Sequence, residues 1–138
     1  MNNDSVRNTE LTCECRAEEI VFLPCAGGSS CGQITNYVAV SLDVLGIGRI
    51  YCLAGIGAHI NGTVESARGE KRIVALDGCN VACAKKTIEH AGLPVTDWIC
   101  MTKEGIEKNH QFRIAPDEID LITQSTRKSL AKPLEAAR

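Results

Sequence analysis

The chain has 138 residues, of which 44% are hydrophobic and 23% are charged, and its formal net charge is −2. This composition is typical of one globular domain, and it favours neither a basic nucleic-acid surface nor a membrane span. The first ten residues are polar and lack the apolar core of a secretory signal, so we expect a cytoplasmic protein.

Short apolar runs alternate along the chain with segments of helical periodicity. Strands are predicted at residues 20–24, 49–53, 71–76 and 96–101, and helices at 32–45, 60–68, 81–90 and 117–130. The last helix begins after Pro116, a residue favoured in the first turn of a helix. Residues 54–57 are predicted to form a glycine-rich turn, and residues 104–108 a loop or a short turn.

Strands that alternate with helices through short loops predict βαβ units and hence a parallel sheet. The predicted fold class is α/β, a single domain with a three-layer sandwich around a mostly parallel, Rossmann-like sheet of about four strands. We expect this domain to span residues 18–132, after a flexible N-terminal arm at 1–17 and before a frayed C-terminus at 133–138.

Cysteines follow the predicted strands. Cys25, Cys52 and Cys79 each lie where an apolar run gives way to small residues, and Cys83 follows four residues after Cys79. Ligands of parallel α/β sheets bind outside the carboxyl ends of the strands, so these four sulfurs are expected at one edge. A disulfide scaffold explains the eight cysteines poorly, because such scaffolds are usually smaller and secreted.

The segment Cys79-Asn80-Val81-Ala82-Cys83 is the most specific local feature. Its spacing places two sulfurs on one face at the start of a helix, close enough to share a metal ion. With Cys25 and Cys52 it would complete a four-thiolate set. Zinc and an iron–sulfur cluster both accept such a set, so the residues leave the metal open.

The strings PCAGGSSCGQITN, YCLAGIGAHINGTVES and RIVALDGCNVACAKKTIEHAG, followed by GIEKNH, resemble the DGC-domain family. This family of small prokaryotic proteins is described as zinc-binding and has no established biochemical role. Its name comes from an Asp-Gly-Cys tripeptide, here residues 77–79. The resemblance extends from about Ile20 to Phe112 and implies four chelating cysteines, which correspond to Cys25, Cys52, Cys79 and Cys83.

The other four cysteines are weaker candidates for metal ligands. Cys31, where the family more often carries an apolar residue, is interpreted as a spare buried thiol, with a fifth site thiol as the alternative. Cys100 is interpreted as a packed core thiol. Cys13 and Cys15 precede the family region, and their C-x-C pair either folds over the site or is exposed and oxidisable.

Histidines and charged residues near the motifs supply other candidates. For His59 three interpretations remain: a metal ligand, an acid–base group, or a neighbour of a helix cap. His110 is a weaker candidate for the site. His90 is explained by favourable contact with a helix C-terminus. Asp77 is interpreted as a carboxylate that braces the loop, with metal ligation secondary. Lys85 and Lys86 are expected on the solvent side of their helix.

Three classes of function follow. The first is a zinc-binding protein whose four-cysteine site is structural or delivers metal to a partner protein. The second is an iron–sulfur or thiol-redox module in electron or sulfur transfer. The third is an enzyme that depends on a metal or a thiolate. The expected partners are a metal ion and, as a further option, a protein, with no nucleic acid and no membrane.

Overall fold

The computed structural model describes residues 19–131, which form an all-parallel sheet of four strands. The strands are β1 (Ile20–Pro24), β2 (Arg49–Ile50), β3 (Arg72–Asp77) and β4 (Asp97–Cys100). Their order in the sheet is β2-β1-β3-β4. The chain therefore moves outward from β1 to β2 and then returns to the other side of β1, which places the topological switch point between β1 and β3.

Helices connect the strands. They are α1 (Ser30–Val44), α2 (Leu53–Gly57), α3 (Asn61–Arg68), α4 (Cys83–His90) and α5 (Pro116–Leu130), with a short 3₁₀ helix at Met101–Glu104. Within residues 19–131, no helix is both long and apolar enough to cross a membrane.

Two apolar clusters cover the two faces of the sheet. On one face Phe22, Val74 and Leu76 pack with the buried sides of α1 and α5. On the other face, Val21 and Leu23 pack with the buried sides of α2, α3 and α4. Neighbouring residues of β1 alternate between these clusters because successive side chains of a strand point to opposite faces. The predicted three-layer α/β domain is confirmed.

Most predicted helices and strands are present with shifted ends, and the predicted turn at residues 54–57 is wrong. The second strand ends at Ile50, and Leu53–Gly57 form helix α2 where a glycine-rich turn was predicted. This helix is stabilised by tertiary packing, since Ile56 is fully buried, and by the Cys52 side chain, which caps its first turn. The predicted arm at 1–17 and the predicted frayed end at 133–138 lie outside the described residues.

An ion pair fastens the amino end of the sheet to α5. The Arg72 guanidinium donates to both carboxylate oxygens of Asp97, at 3.2 and 2.7 Å, and to the carbonyl of Leu130 at 2.9 Å. The side chains of Arg72 and Asp97 are only 15% and 19% exposed. This bidentate pair therefore links β3, β4 and the last turn of α5.

We expect Arg72→Ala to lower the free energy of unfolding by about 2 kcal/mol, because three charge-assisted hydrogen bonds are lost from a mostly buried position. Chemical denaturation followed by circular dichroism measures this change. Lys71→Ala is the matched control, since the Lys71–Glu19 pair is 71% and 59% exposed and should contribute less than about 1 kcal/mol. Equal effects of the two substitutions would contradict the structural role of Arg72.

Candidate functional site

The four cysteines of the predicted site lie at the carboxyl edge of the sheet. Cys25 directly follows β1, Cys52 lies two residues after β2, and Cys79 lies two residues after β3. Cys83 is the first residue of α4, so Cys79 lies outside this helix and the prediction that the two sulfurs share one helical face is wrong. Because all four strands are parallel, their carboxyl ends share one edge, and the predicted location at the strand ends is confirmed.

Two clefts divide these cysteines into overlapping groups. Cys25, Cys79 and Cys83 line a cleft of about 320 Å³ at the switch point, here called the thiol cleft. Cys25 and Cys52 line a second cleft of about 490 Å³, here called the Cys52 cleft. Cys25 belongs to both clefts because β1 lies between β2 and β3.

Two glycines allow the loops around the thiol cleft to approach each other. A Cβ atom on Gly78 would lie 2.6 Å from the backbone nitrogen of Gly32, in the first turn of α1. A Cβ atom on Gly32 would lie 2.8 Å from the carbonyl oxygen of Gly27. The loop after β1, the start of α1 and the loop after β3 are thus in direct backbone contact, which brings Cys25 and Cys79 to the same cleft.

Asp77 braces this edge of the sheet. Its carboxylate accepts hydrogen bonds from the backbone nitrogens of Ala84 at 2.7 Å and Lys85 at 3.1 Å, and from the Trp98 indole at 2.9 Å. It is 1% exposed. Helix α4 receives no side-chain cap from Ala82, the residue before it, so Asp77 satisfies the first-turn amides instead. The structural interpretation of Asp77 is confirmed.

Trp98 connects β4 to the same region. The Lys85 and Lys103 ammonium groups lie 4.9 and 4.5 Å from the centre of its ring, and these contacts are favourable cation–π interactions. Lys85 is half-buried, and its side chain reaches from the outer side of α4 across the aromatic ring. Lys86 is exposed, as expected.

Lys108 is a site residue that sequence reasoning did not identify. It lines the thiol cleft, and its ammonium group donates to the Cys79 sulfur at 3.4 Å. Its loop is held against α1 because the Ser30 backbone nitrogen donates to Asn109 at 2.8 Å and the Ser30 hydroxyl donates to Glu107 at 3.3 Å. The GIEKNH string marked this segment without indicating which side chain faces the cysteines.

Within residues 19–131, the Cys52 and Cys25 sulfurs contact only uncharged groups, whereas the Cys79 sulfur contacts the Lys108 ammonium group. The Cys52 sulfur accepts from the backbone nitrogen of Gly55 at 3.3 Å and is otherwise exposed. The Cys25 sulfur lies 3.7 Å from the Thr35 hydroxyl. Cys79 is partly buried and Cys83 is exposed, so each of the four sulfurs can be reached from solvent.

The other described cysteines belong to the core. Cys31 is fully buried with its sulfur 3.2 Å from the Ser29 hydroxyl. Cys100 is 3% exposed and contacts Asn80 and Thr102. Both positions agree with the packing interpretation. All six cysteines within residues 19–131 are free thiols, and Cys13 and Cys15 lie outside that range.

The histidines line neither cleft. His59 contacts His90, with a distance of 3.2 Å between ring nitrogens, and neither residue lines the thiol cleft or the Cys52 cleft. His90 ends α4, where a favourable contact with the helix dipole was expected. His110 is exposed and packs edge-on against Phe112.

The cysteines at the clefts match a soft metal ion in donor type. Thiolates select zinc and iron–sulfur clusters, and three sulfurs border one cleft. They are not assembled into a centre, because no three Cys, His, Asp or Glu side chains of residues 19–131 converge closely enough to hold an ion. Asp77 is also committed to its three donors, which leaves the cysteines as the available ligands.

Comparisons with known proteins agree with this organisation. The profile of the DGC domain matches residues 21–126, which is most of the chain. A curated relative, the Anaerobic and virulence modulator AnvM of Pseudomonas aeruginosa, is 30% identical over 86 residues, which span 62% of this chain and 66% of that protein, just under two thirds. No solved structure matches the chain significantly. The chain belongs to the DGC domain family.

Proposed function

We propose that this protein binds zinc through Cys25, Cys79 and Cys83 of the thiol cleft, with Cys52 as the fourth ligand. The observation that carries the proposal is that sulfurs from both sides of the switch point border one solvent-accessible cleft. Zinc takes four thiolates in a tetrahedron with bonds of about 2.3 Å. A closed set of this kind stabilises the fold or holds the ion for a partner.

Metal binding requires these side chains to draw together. Cys52 and Cys83 are exposed, so rotation about their side-chain bonds meets little packing resistance. The Gly32 and Gly78 contacts hold the backbones of the two central loops in place. Lys108 would then lie beside the anionic cluster and offset part of its charge.

We expect protein purified without oxygen to retain about one tightly bound zinc ion per chain, the number that a single tetrahedral four-thiolate site takes. Cys25→Ser and Cys79→Ser should each reduce the zinc content severalfold, because each removes a sulfur from the centre of the set. Elemental analysis together with an absorption spectrum measures this content. Cys100→Ser is the matched control, since serine can keep the contacts to Asn80 and Thr102. Full zinc content in both site variants would contradict the proposal.

A thiol-redox or iron–sulfur module is the second candidate. It is favoured by the Lys108 ammonium beside the Cys79 sulfur, since cationic neighbours are typical of reactive cysteines. The relative is named as a modulator of anaerobiosis and virulence, and we carry over to this chain only a coarse modulatory role. A brown protein that contains iron and sulfide would favour this candidate over zinc.

A further inference from the structure

His59 and His90 form a side-chain pair that the thiol site does not use. The His59 Nε2 and His90 Nδ1 atoms lie 3.2 Å apart, and the two rings meet edge-on with their centres 5.2 Å apart. Both side chains are exposed to solvent. The residues are 31 positions apart in the chain, so the fold brings them together.

The backbone holds this pair in position. His59 has a φ of 56°, and its backbone nitrogen donates to the Ile56 carbonyl at 3.0 Å just beyond α2. His90 is the last residue of α4. These two helices are closely packed, since a Cβ atom on Gly57 would lie 3.2 Å from the Thr87 methyl group. The packing of these two helices therefore holds the backbones of His90 and of the turn that carries His59 close to each other.

We propose that His59 and His90 constitute a second metal site, a two-histidine site for a divalent transition-metal ion such as zinc. Imidazole nitrogens bind zinc at about 2.0–2.1 Å, which places two of them about 3.3 Å apart on a tetrahedral ion. The observed separation is 3.2 Å, so ring rotation that keeps this spacing, with the unprotonated nitrogen of each ring facing the partner, would turn both lone pairs toward a shared ion. Water completes the coordination at this open surface.

This site is distinct from the thiol cleft. His90 lies seven residues beyond Cys83 in α4, or about 10 Å along the helix axis. Imidazole also suits zinc, nickel and copper without any sulfur ligand. The alternative is a simple hydrogen bond between two neutral rings, which has the same distance between nitrogens and no metal affinity beyond that of a single imidazole.

The test is a zinc titration of the full chain, followed through the imidazole proton signals of its three histidines by nuclear magnetic resonance. The signals of His59 and His90 should move together with one midpoint, while those of His110 stay in place. In His59→Asn, the His90 midpoint should rise by more than about tenfold, because the second ligand no longer acts at a high effective concentration. Asparagine tolerates the left-handed backbone at this position.

His110→Asn is the matched control and should leave the midpoint unchanged. Repeating the titration with Cys25→Ser separates this site from the proposed thiol site, because the response of the histidines should persist. An unchanged His90 midpoint in His59→Asn would overturn the inference, as would equal movement of all three histidines. Loss of the His59 and His90 response in Cys25→Ser would also overturn it.

Discussion

Gly78→Ala is expected to lower the free energy of unfolding by about 3 kcal/mol, a large effect for the addition of one methyl group. The new Cβ atom would lie 2.6 Å from the Gly32 nitrogen, 2.8 Å from the Cys31 carbonyl carbon and 2.9 Å from the Gly32 Cα atom. All three neighbours are backbone atoms, so no flexible side chain can yield. The loop after β3 must move away from α1, and Cys79 moves with it. Chemical denaturation followed by circular dichroism measures the loss.

Gly28→Ala is the control for this substitution. Gly28 lines the same cleft, but a Cβ atom there meets nothing within 4 Å. The free energy of unfolding of Gly28→Ala should therefore differ from that of the unsubstituted protein by less than about 1 kcal/mol. A slight increase is expected, because alanine reduces the entropy of the unfolded chain. Gly78→Ala as stable as Gly28→Ala would show that the contact between the loop and α1 is looser than the distances indicate.

Asp77→Ala is expected to destabilise the fold by about 3–5 kcal/mol, because it removes three hydrogen bonds to a buried carboxylate. The substitution leaves the first-turn amides of α4 and the Trp98 indole without their acceptor at a mostly buried position. We expect the start of α4 to fray, which would also displace Cys83. Denaturation curves measure the stability.

The fluorescence of Trp98 gives a second measurement of this effect. It is the only tryptophan of the chain and bonds directly to Asp77, so its emission in the folded state should shift when the carboxylate is removed. Asp120→Ala is the control, since Asp120 is exposed on α5 and should change stability by less than about 0.5 kcal/mol. Unaltered emission and stability in Asp77→Ala would refute the bracing role.

These two residues explain the physical basis of the Asp-Gly-Cys tripeptide. Asp77 accepts hydrogen bonds from a first-turn amide of α4 and from the Trp98 indole of β4. Because Gly78 has no side chain, the backbone of α1 can lie close to the loop after β3. Cys79 then faces the cleft beside Lys108. The tripeptide thus contacts β4, α1 and α4 at the end of β3, and these contacts hold the Cys79 thiol at the cleft.

The fold class, and the edge of the sheet at which the four cysteines lie, could be predicted from the amino-acid sequence. Apolar runs that alternate with helical periodicity are local signals, and parallel strands always end at a common edge. The position of Pro116 at the start of α5 and the core placement of Cys100 could be predicted on the same local grounds. The buried position of Cys31 was predicted because the other four cysteines already fill a tetrahedral site.

The grouping of the side chains at that edge could not be predicted, because it depends on the order of the strands and on contacts between distant residues. Periodicity carries no information on strand order, and it is the order β2-β1-β3-β4 that gives Cys25 a place in both clefts. The contact of Lys108 with Cys79 and the pairing of His59 with His90 join residues about thirty positions apart. Helix α2 likewise forms in a glycine-rich segment because packing around Ile56 outweighs weak local propensity.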